Sequence, residues 1–356
     1  MAPPATLFLS TSRSGEGVFE LKEFFGINPE RGKKYYKQIA VGSQANGAQV
    51  KIPFLLLRGE QDGPVLWING AVHGAELNGS VAAWELFRET DPKALKGTLA
   101  ITPIANALGF QRRDKISDLD YQDMDTSFPG KPDGTFTERI ADTIYREVKV
   151  NADCLLSFHT MGPFWTAIPY TVSKDVPGAD AEVTAKSHKL ALAYGTEVNC
   201  FLDLANASGE LPGVTRGALD ITCILDGIPA FMAEMGGGGR VQRVNVDRAK
   251  QGVRNVMAYL GMLEKVEAPK PFHRRIITRR GFTRCDGAGM YVPAYGPGDE
   301  MFGGGVQGRL HYFGETLEEC RLEKDKVFFI GVRFNPVVST GDPISFIGTE
   351  WYFEEG

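Results

Sequence analysis

The chain has 356 residues, 43% of them hydrophobic and 23% charged, enough apolar material for a large core and a length that leads us to expect about two domains. Its 39 basic residues are outnumbered by 44 acidic ones, giving a net charge of -5, so no global positive field exists to hold nucleic acid or an anionic membrane. No run approaches the roughly 18 apolar residues of a membrane span, and residues 1–14 lack the basic start and apolar stretch of a signal peptide; a soluble, cytoplasmic protein is expected, with no nucleic-acid or membrane partner.

Residues 50–57 and 64–68 are apolar or β-branched runs bounded by Gly and Asp, with a polar turn at 59–63, and read as strands. Residues 78–88 read as a helix, since Val81, Ala82, Trp84, Leu86 and Phe87 are spaced among polar residues and Gly79 and Ser80 mark a start. A short apolar run follows at 99–104, helical spacing at 137–148, and at 152–158 a continuous apolar strand of the type buried on both faces. Beyond these come a helical segment at 180–194, an apolar run at 228–232, and a helix at 245–263. In that helix Val246, Ala249, Val253, Val256, Leu260 and Leu263 recur at three- and four-residue steps on one face. Strands alternating with helices imply an α/β architecture, and we take residues 1–265 as the first domain, with an N-terminal extension to about 45. Residues 268–271 (APKP) read as a stiff linker. After it the texture turns to Gly-rich short strands at 287–292, 310–313, 326–334 and 344–346, with a turn region at 296–305, so residues 272–356 read as a small β-domain. No internal repeat is visible.

The five cysteines are widely spaced with no CxxC pair, which reads as buried free thiols and not as a disulfide framework or thiolate metal cage. Histidine is equally scarce, at five in the chain. His73 and Glu76 form HGAE directly after a predicted strand, at the C-terminal strand ends where open α/β sheets place their sites. Alone, that spacing also fits a helix-start histidine and a solvated glutamate. His159 ends the strand at 152–158, and two histidines with one glutamate match the ligand set of a hydrolytic zinc site that keeps a fourth position open. Glu234 ends the apolar stretch 229–233 in the same fashion and suits a general base, the bland reading being a surface carboxylate in the loop before Gly236 to Gly239. Those glycines lack a phosphate-binding fingerprint and read as a flexible loop. His188, His273 and His311 read as structural or solvent-exposed. Phe164, Trp165 and Tyr170 follow a presumed ligand strand and are candidates for pocket lining.

These residues fall in motifs that, taken together, resemble the succinylglutamate desuccinylase and aspartoacylase family, the deacylase branch of the zinc carboxypeptidase-like hydrolases. The landmarks run in the family's order: INGAVHGAELNG with His73 and Glu76, PIANALGF with Asn106, DMDTSFPG from Asp123, and SFHTMG with His159. AEMGGGG carries Glu234, and GMYVPAYGPGDEM with VVSTGDPISFIG resembles the family's C-terminal β-barrel appendage. The resemblance spans roughly residues 42–348. It implies a mixed central sheet with helices on both faces followed by a small β-barrel-like domain. It also implies one zinc per chain on His73, Glu76 and His159, with Glu234 activating water against an amide.

Departures from the family pattern bear on the substrate. The family carries Asp-Leu-Asn-Arg ahead of Phe-Pro-Gly, its Asn and Arg gripping a substrate carboxylate; here Asp125 and Thr126 stand in those two places. An uncharged or amine-bearing substrate group is therefore expected beside them, with an apolar portion against Trp165. The family's oxyanion-stabilising arginine falls on Lys115 by ungapped counting from Asn106, with Arg112 and Arg113 within a small register shift, and all three stay open. Ser157 replaces an aspartate that resembles an orienting partner of the third ligand. The reading is a zinc-dependent amidohydrolase of small N-acyl amines or amino acid derivatives. A carboxypeptidase-like metallopeptidase is the nearest alternative, weakened because Thr126 removes the arginine that would hold a terminal carboxylate. A metal-binding homologue without catalysis is another, weakened because ligands and base occur together. Homo-oligomerisation is a base-rate expectation, with two-fold symmetry the commonest form.

Overall fold

The computed structural model describes residues 22–206, 217–264, 273–312 and 315–355. The linker at 268–271, residues 1–14 and the end of the run 310–313 lie outside the described residues. The first three strands, β1 (Lys33–Ser43), β2 (Gln49–Arg58) and β3 (Gln61–Asn69), lead to α1 (Asn78–Glu89), β4 (Lys96–Thr102) and α2 (Ala107–Arg112). Along β3, Val65 and Trp67 enter one core while Leu66 and Ile68 enter the other. A strand covered on both faces must be apolar at consecutive positions, which is why the run shows no alternation. The expected extension to about 45 contains β1, an edge strand antiparallel to β2.

The chain continues through α3 (Phe136–Asn151), β5 (Cys154–His159), β6 (Trp165–Ala167), β7 (Pro169–Asp175), α4 (Ala181–Tyr194), β8 (Val198–Asp203), α5 (Leu219–Leu225), β9 (Ala230–Met235) and α6 (Arg243–Tyr259). Thr135 and Glu138 form a reciprocal capping box at the start of α3. The helix expected through 263 ends at Tyr259, because Gly261 adopts φ +72 and the Met262 N–H closes onto the Met257 carbonyl. On one face of the sheet α1, α4 and α6 bury Leu86, Phe87, Leu190, Tyr194, Val253 and Val256. On the other, α3 and α5 bury Ile140, Ile144, Val148, Leu219 and Ile224. Each such side chain contributes about 1.5–3 kcal/mol when fully buried. All five cysteines are buried free thiols.

The remaining strands are β10 (His273–Arg284), β11 (Gly289–Pro293), β12 (Glu300–Phe302), β13 (Gly305–Tyr312), β14 (Glu315–Leu322), β15 (Lys326–Arg333), β16 (Val337–Val338) and β17 (Pro343–Glu355). The main sheet runs β1-β2-β4-β3-β5-β9-β7-β8-β10-β17-β15-β12, with β6 on β15, and a second sheet runs β14-β13-β11-β16. The chain is thus a mixed α/β fold with a small C-terminal β-domain, several of whose strands prolong the main sheet. β10 lies parallel to β8, with Arg275 opposite Val198. Strands β4, β3, β5 and β9 are mutually parallel, so their C-terminal ends share one edge. His159 lies directly opposite Glu234 there, and Asn69 opposite Ser157. No helix among the described residues is long and apolar enough to cross a membrane.

Candidate metal centre and active site

The turn after β3 is held from the end of β4. Ala71 takes the left-handed conformation at φ +49, at a cost of roughly 1–3 kcal/mol, and its carbonyl accepts from the Asn106 N–H at 3.1 Å. The Asn106 side chain donates to the Val72 carbonyl at 3.0 Å and accepts from the Gly109 N–H at 2.7 Å, so one residue ties the HGAE turn to α2. On the other side, a Cβ on Gly79 would lie 2.2 Å from the Phe158 ring. Only glycine lets α1 approach β5 this closely.

These constraints bring His73, Glu76 and His159 together, all buried, with their ligating atoms within 4.8 Å of one another. His73 Nδ1 is 3.0 Å from Glu76 Oε1, and His159 Nδ1 is 3.2 Å from Glu76 Oε2. Both Nε2 atoms face outward, that of His73 to Asp123 Oδ1 at 3.2 Å and that of His159 to Ser157 Oγ at 3.1 Å. Holding an imidazole by its outer nitrogen turns the inner lone pair toward the centre, the arrangement a metal-ligating histidine requires. The Thr160 N–H also donates to Glu76 Oε2, at 3.0 Å.

The charges around this centre are mostly acidic. Burial alone would lower His73, but the neighbouring Glu76 charge and the bonds to Asp123 and Glu76 raise it well above the ordinary histidine value. His159 is likewise raised, burial being outweighed by its bond to Glu76 and by the charge of Asp125. For Asp123, burial is overcome by the bond to His73 and by Lys115, which hold the carboxyl down to about 2. A site that concentrates protons on two imidazoles is one in which a divalent cation can replace them, and the donor set fits such an ion.

Glu234 lies across the strand pair from His159, and its Oε2 is buried with no hydrogen-bond partner among the described residues. Burial pushes it up to about 7 against the opposing pull of His159, with the Glu76 charge adding to the rise and Arg280 lowering it. Such a carboxyl can exchange protons near neutrality. The loop behind it is not the flexible segment expected. Gly237 and Gly238 are buried, a Cβ on Gly237 would lie 2.0 Å from the Trp165 carbonyl, and the Gly238 and Gly239 N–H groups donate to the Gly162 and Ala75 carbonyls. The glycines are there for close packing.

Of the three candidate cations, Lys115 reaches the centre's rim, with Nζ 2.8 Å from Asp123 Oδ2. Neither Arg112 nor Arg113 contacts the cluster: both are exposed, Arg112 pairs with Asp114 at 3.3 Å, and Arg113 closes α2 with φ +62. Asp125 and Thr126 belong to a 3-10 turn, Asp125 buried and Thr126 exposed with its hydroxyl donating to the Asp123 carbonyl. Trp165, expected against substrate, is committed to core packing, its ring centroid 5.3 Å from that of Phe282. Away from the centre, His188 lies between Ser173 Oγ at 2.6 Å and Asp175 Oδ1 at 2.5 Å, a structural role. Sequence reasoning gives no role to Asp123, although it heads the DMDTSFPG motif. It also misses the buried Lys174 of β7, paired with Asp220 of α5, and Arg280 of β10, which acts on Glu234.

Comparison with known proteins shows which family and fold the chain shares. Residues 62–260 match the model of the succinylglutamate desuccinylase/aspartoacylase catalytic domain. The chain is 27% identical over 306 residues to an N-alpha-acetyl-L-2,4-diaminobutyric acid deacetylase of Halomonas elongata, covering 84% of this chain and 85% of the relative. Its fold resembles the product-bound ectoine utilization protein EutE (DoeB) of Ruegeria pomeroyi, with a TM-score of 0.79 at 24% identity over 90% of this chain and 97% of that one. It also resembles a succinylglutamate desuccinylase/aspartoacylase from Rhodobacter sphaeroides, with a TM-score of 0.75 at 22% identity over 89% and 96%.

Proposed function

The chain belongs to the succinylglutamate desuccinylase/aspartoacylase family, and from that premise we propose that it is a zinc-dependent amidohydrolase that removes an acyl group from a small N-acylated amino acid derivative. The observation that carries the proposal is the buried His73, Glu76 and His159 cluster with the unpartnered Glu234 carboxyl beside it. The Halomonas relative, a deacetylase of an N-acetylated amino acid, supports the substrate class.

His73, Glu76 and His159 would hold the ion. When bound, such a cation polarises an amide carbonyl and lowers the pKa of water. Glu234 takes the proton from the attacking water and returns it to the departing nitrogen, a task suited to a carboxyl poised near neutrality. Lys115, held at the rim by Asp123, supplies positive charge toward the carbonyl oxygen as it becomes anionic. Asp123 and Ser157 keep the two imidazoles oriented.

The test is elemental analysis and turnover of the wild type and of His73→Ala against a panel of N-acetylated amino acids. We expect about one zinc per wild-type chain, with metal and turnover lost together in the variant. Metal content equal to wild type in His73→Ala would remove the site assignment.

A further inference from the structure

Asp125 stands apart from the other acids of the site. It is only 8% exposed, and although its own N–H donates to Asp123 Oδ1 at 3.0 Å, its carboxylate accepts no hydrogen bond and joins no ion pair among the described residues. Among the described residues, the two nearby lysines are engaged elsewhere. Lys174 is gripped by both oxygens of Asp220, at 2.7 and 2.9 Å, with Met232 Sδ at 3.1 Å as a third neighbour. Lys115 is held by Asp123. An unpaired buried carboxylate is costly, because lost hydration is not replaced. Its N–H donates to the same Asp123 oxygen that lies 3.2 Å from His73 Nε2, which places Asp125 beside the candidate metal centre.

We propose that Asp125 determines specificity by receiving the free ammonium group of an N-acylated diamino acid; this rests on the amidohydrolase reading above and deepens it to a substrate class. Three features of the wall fit a cation. Among the described residues, Lys174 pairs with Asp220 and Lys115 with Asp123, so neither lysine pairs with Asp125. Thr126 places no guanidinium beside it that would compete for the carboxylate or attract an anionic side chain. Burial shields the pair from water, where a charge-assisted hydrogen bond is strongest. Because one residue, Asp123, bridges Asp125 to His73, an ammonium received there sits within a few bonds of the scissile amide, which selects short diamino acids.

Two measurements test this. The first compares kcat/KM for N-α-acetyl-2,4-diaminobutyrate and its uncharged isostere N-α-acetylnorvaline, in the wild type and in Asp125→Asn. We expect a wild-type preference for the amine of about 10- to 100-fold, the worth of a hydrogen bond to a charged group, collapsing to within about threefold in the variant with its zinc retained. The second measures binding of 2,4-diaminobutyrate and norvaline to the zinc-loaded protein by calorimetry, with the same expected ratio and the same collapse. A wild type that does not discriminate, or a variant that discriminates equally well, overturns the assignment, and the wild-type ratio keeps the proposal falsifiable however the variant folds. If no N-acylated amino acid is hydrolysed at all, the amidohydrolase reading fails, and the calorimetric ratio still decides whether Asp125 selects an amine.

Discussion

The wall of the site built from strand ends and the wall built from the loop after α2 treat their charges in opposite ways. At the ends of β3, β5 and β9, His73 and His159 are each held on the outer side, and Glu76 is engaged by both imidazoles and by the Thr160 N–H. Along the loop, Asp123 and Lys115 satisfy each other while Asp125 is left buried without a partner among the described residues. The strand-end wall is rigid because parallel pairing fixes its register, as when His159 meets Glu234. The loop wall sits on a 3-10 turn, so its residues can differ between relatives without disturbing the sheet. The proposed chemistry thus lies where the backbone is over-determined, and the proposed selectivity where it is not.

The largest effect should come from Glu234, the strand-end carboxyl with an unpartnered oxygen among the described residues. Glu234→Gln keeps the shape of the wall and removes its base, so we expect zinc to be retained while kcat falls by about 10²- to 10⁴-fold, the usual worth of positioned acid–base catalysis. The sign of the pH effect follows from the raised carboxyl: wild-type rate is present above its pKa and lost as pH falls through it, because protonated Glu234 cannot accept a proton. That acid limb should be missing from Glu234→Gln. Loss of zinc instead would make Glu234 a ligand.

A comparably large effect, on stability, should follow from unbalancing the ion pair that backs the loop wall. Lys174→Met leaves Asp220, 1% exposed, without its cation. Breaking a buried pair from one side typically costs about 3–5 kcal/mol, whereas replacing both members with apolar residues is often neutral. Chemical denaturation of Lys174→Met and of the double variant Lys174→Met with Asp220→Leu separates the two cases. Equal stability losses in both would show that the pair is not a self-contained unit.

The two walls are also unequally legible in the sequence. His73 and His159, the proposed ligands, and Glu234, the proposed base, can be found because each directly follows or ends an apolar run, so chain adjacency alone puts them at strand ends. The isolation of Asp125 cannot, since it depends on Asp220 crossing 46 residues of chain to occupy Lys174. The same long-range pairing hides β7, whose buried Ser173 and Lys174 break the apolar pattern that marks β5. Strand β1 is obscured for another reason: at the sheet's edge its inward residues Tyr35, Ile39 and Val41 are only partly buried and are interleaved with lysines, so the alternation is weak. Helix α3 announces itself through local chemistry, the Thr135 and Glu138 cap lying within four residues. Trp165 misleads because an aromatic after a ligand strand suits a pocket, yet its ring area is better buried against Phe282.

The smallest expected effect sharpens the comparison within the centre itself, since its two imidazoles lean on unlike partners. Asp123 brings an ionised carboxylate, held down to about 2, to the Nε2 of His73, whereas Ser157 brings a neutral hydroxyl to that of His159. A charge-assisted hydrogen bond is roughly twice as strong as a neutral one and makes the imidazole a better donor to a cation. Asp123→Ala should therefore lower zinc affinity by about 10- to 100-fold, the range for removing an orienting partner, and also release Lys115 from the rim. Ser157→Ala should cost less than about tenfold, because a net hydrogen bond between neutral groups is worth about 1 kcal/mol. Installing a carboxylate with Ser157→Asp should tighten binding above the wild type only if the buried site tolerates one more negative charge beside Glu76, Asp125 and Glu234. Zinc competition titrations on the three variants rank them directly. An order in which Ser157→Ala is the more damaging would mean that His73 is oriented by the HGAE turn without help from Asp123, and that the hydroxyl on β5 matters more to its imidazole than the carboxylate does.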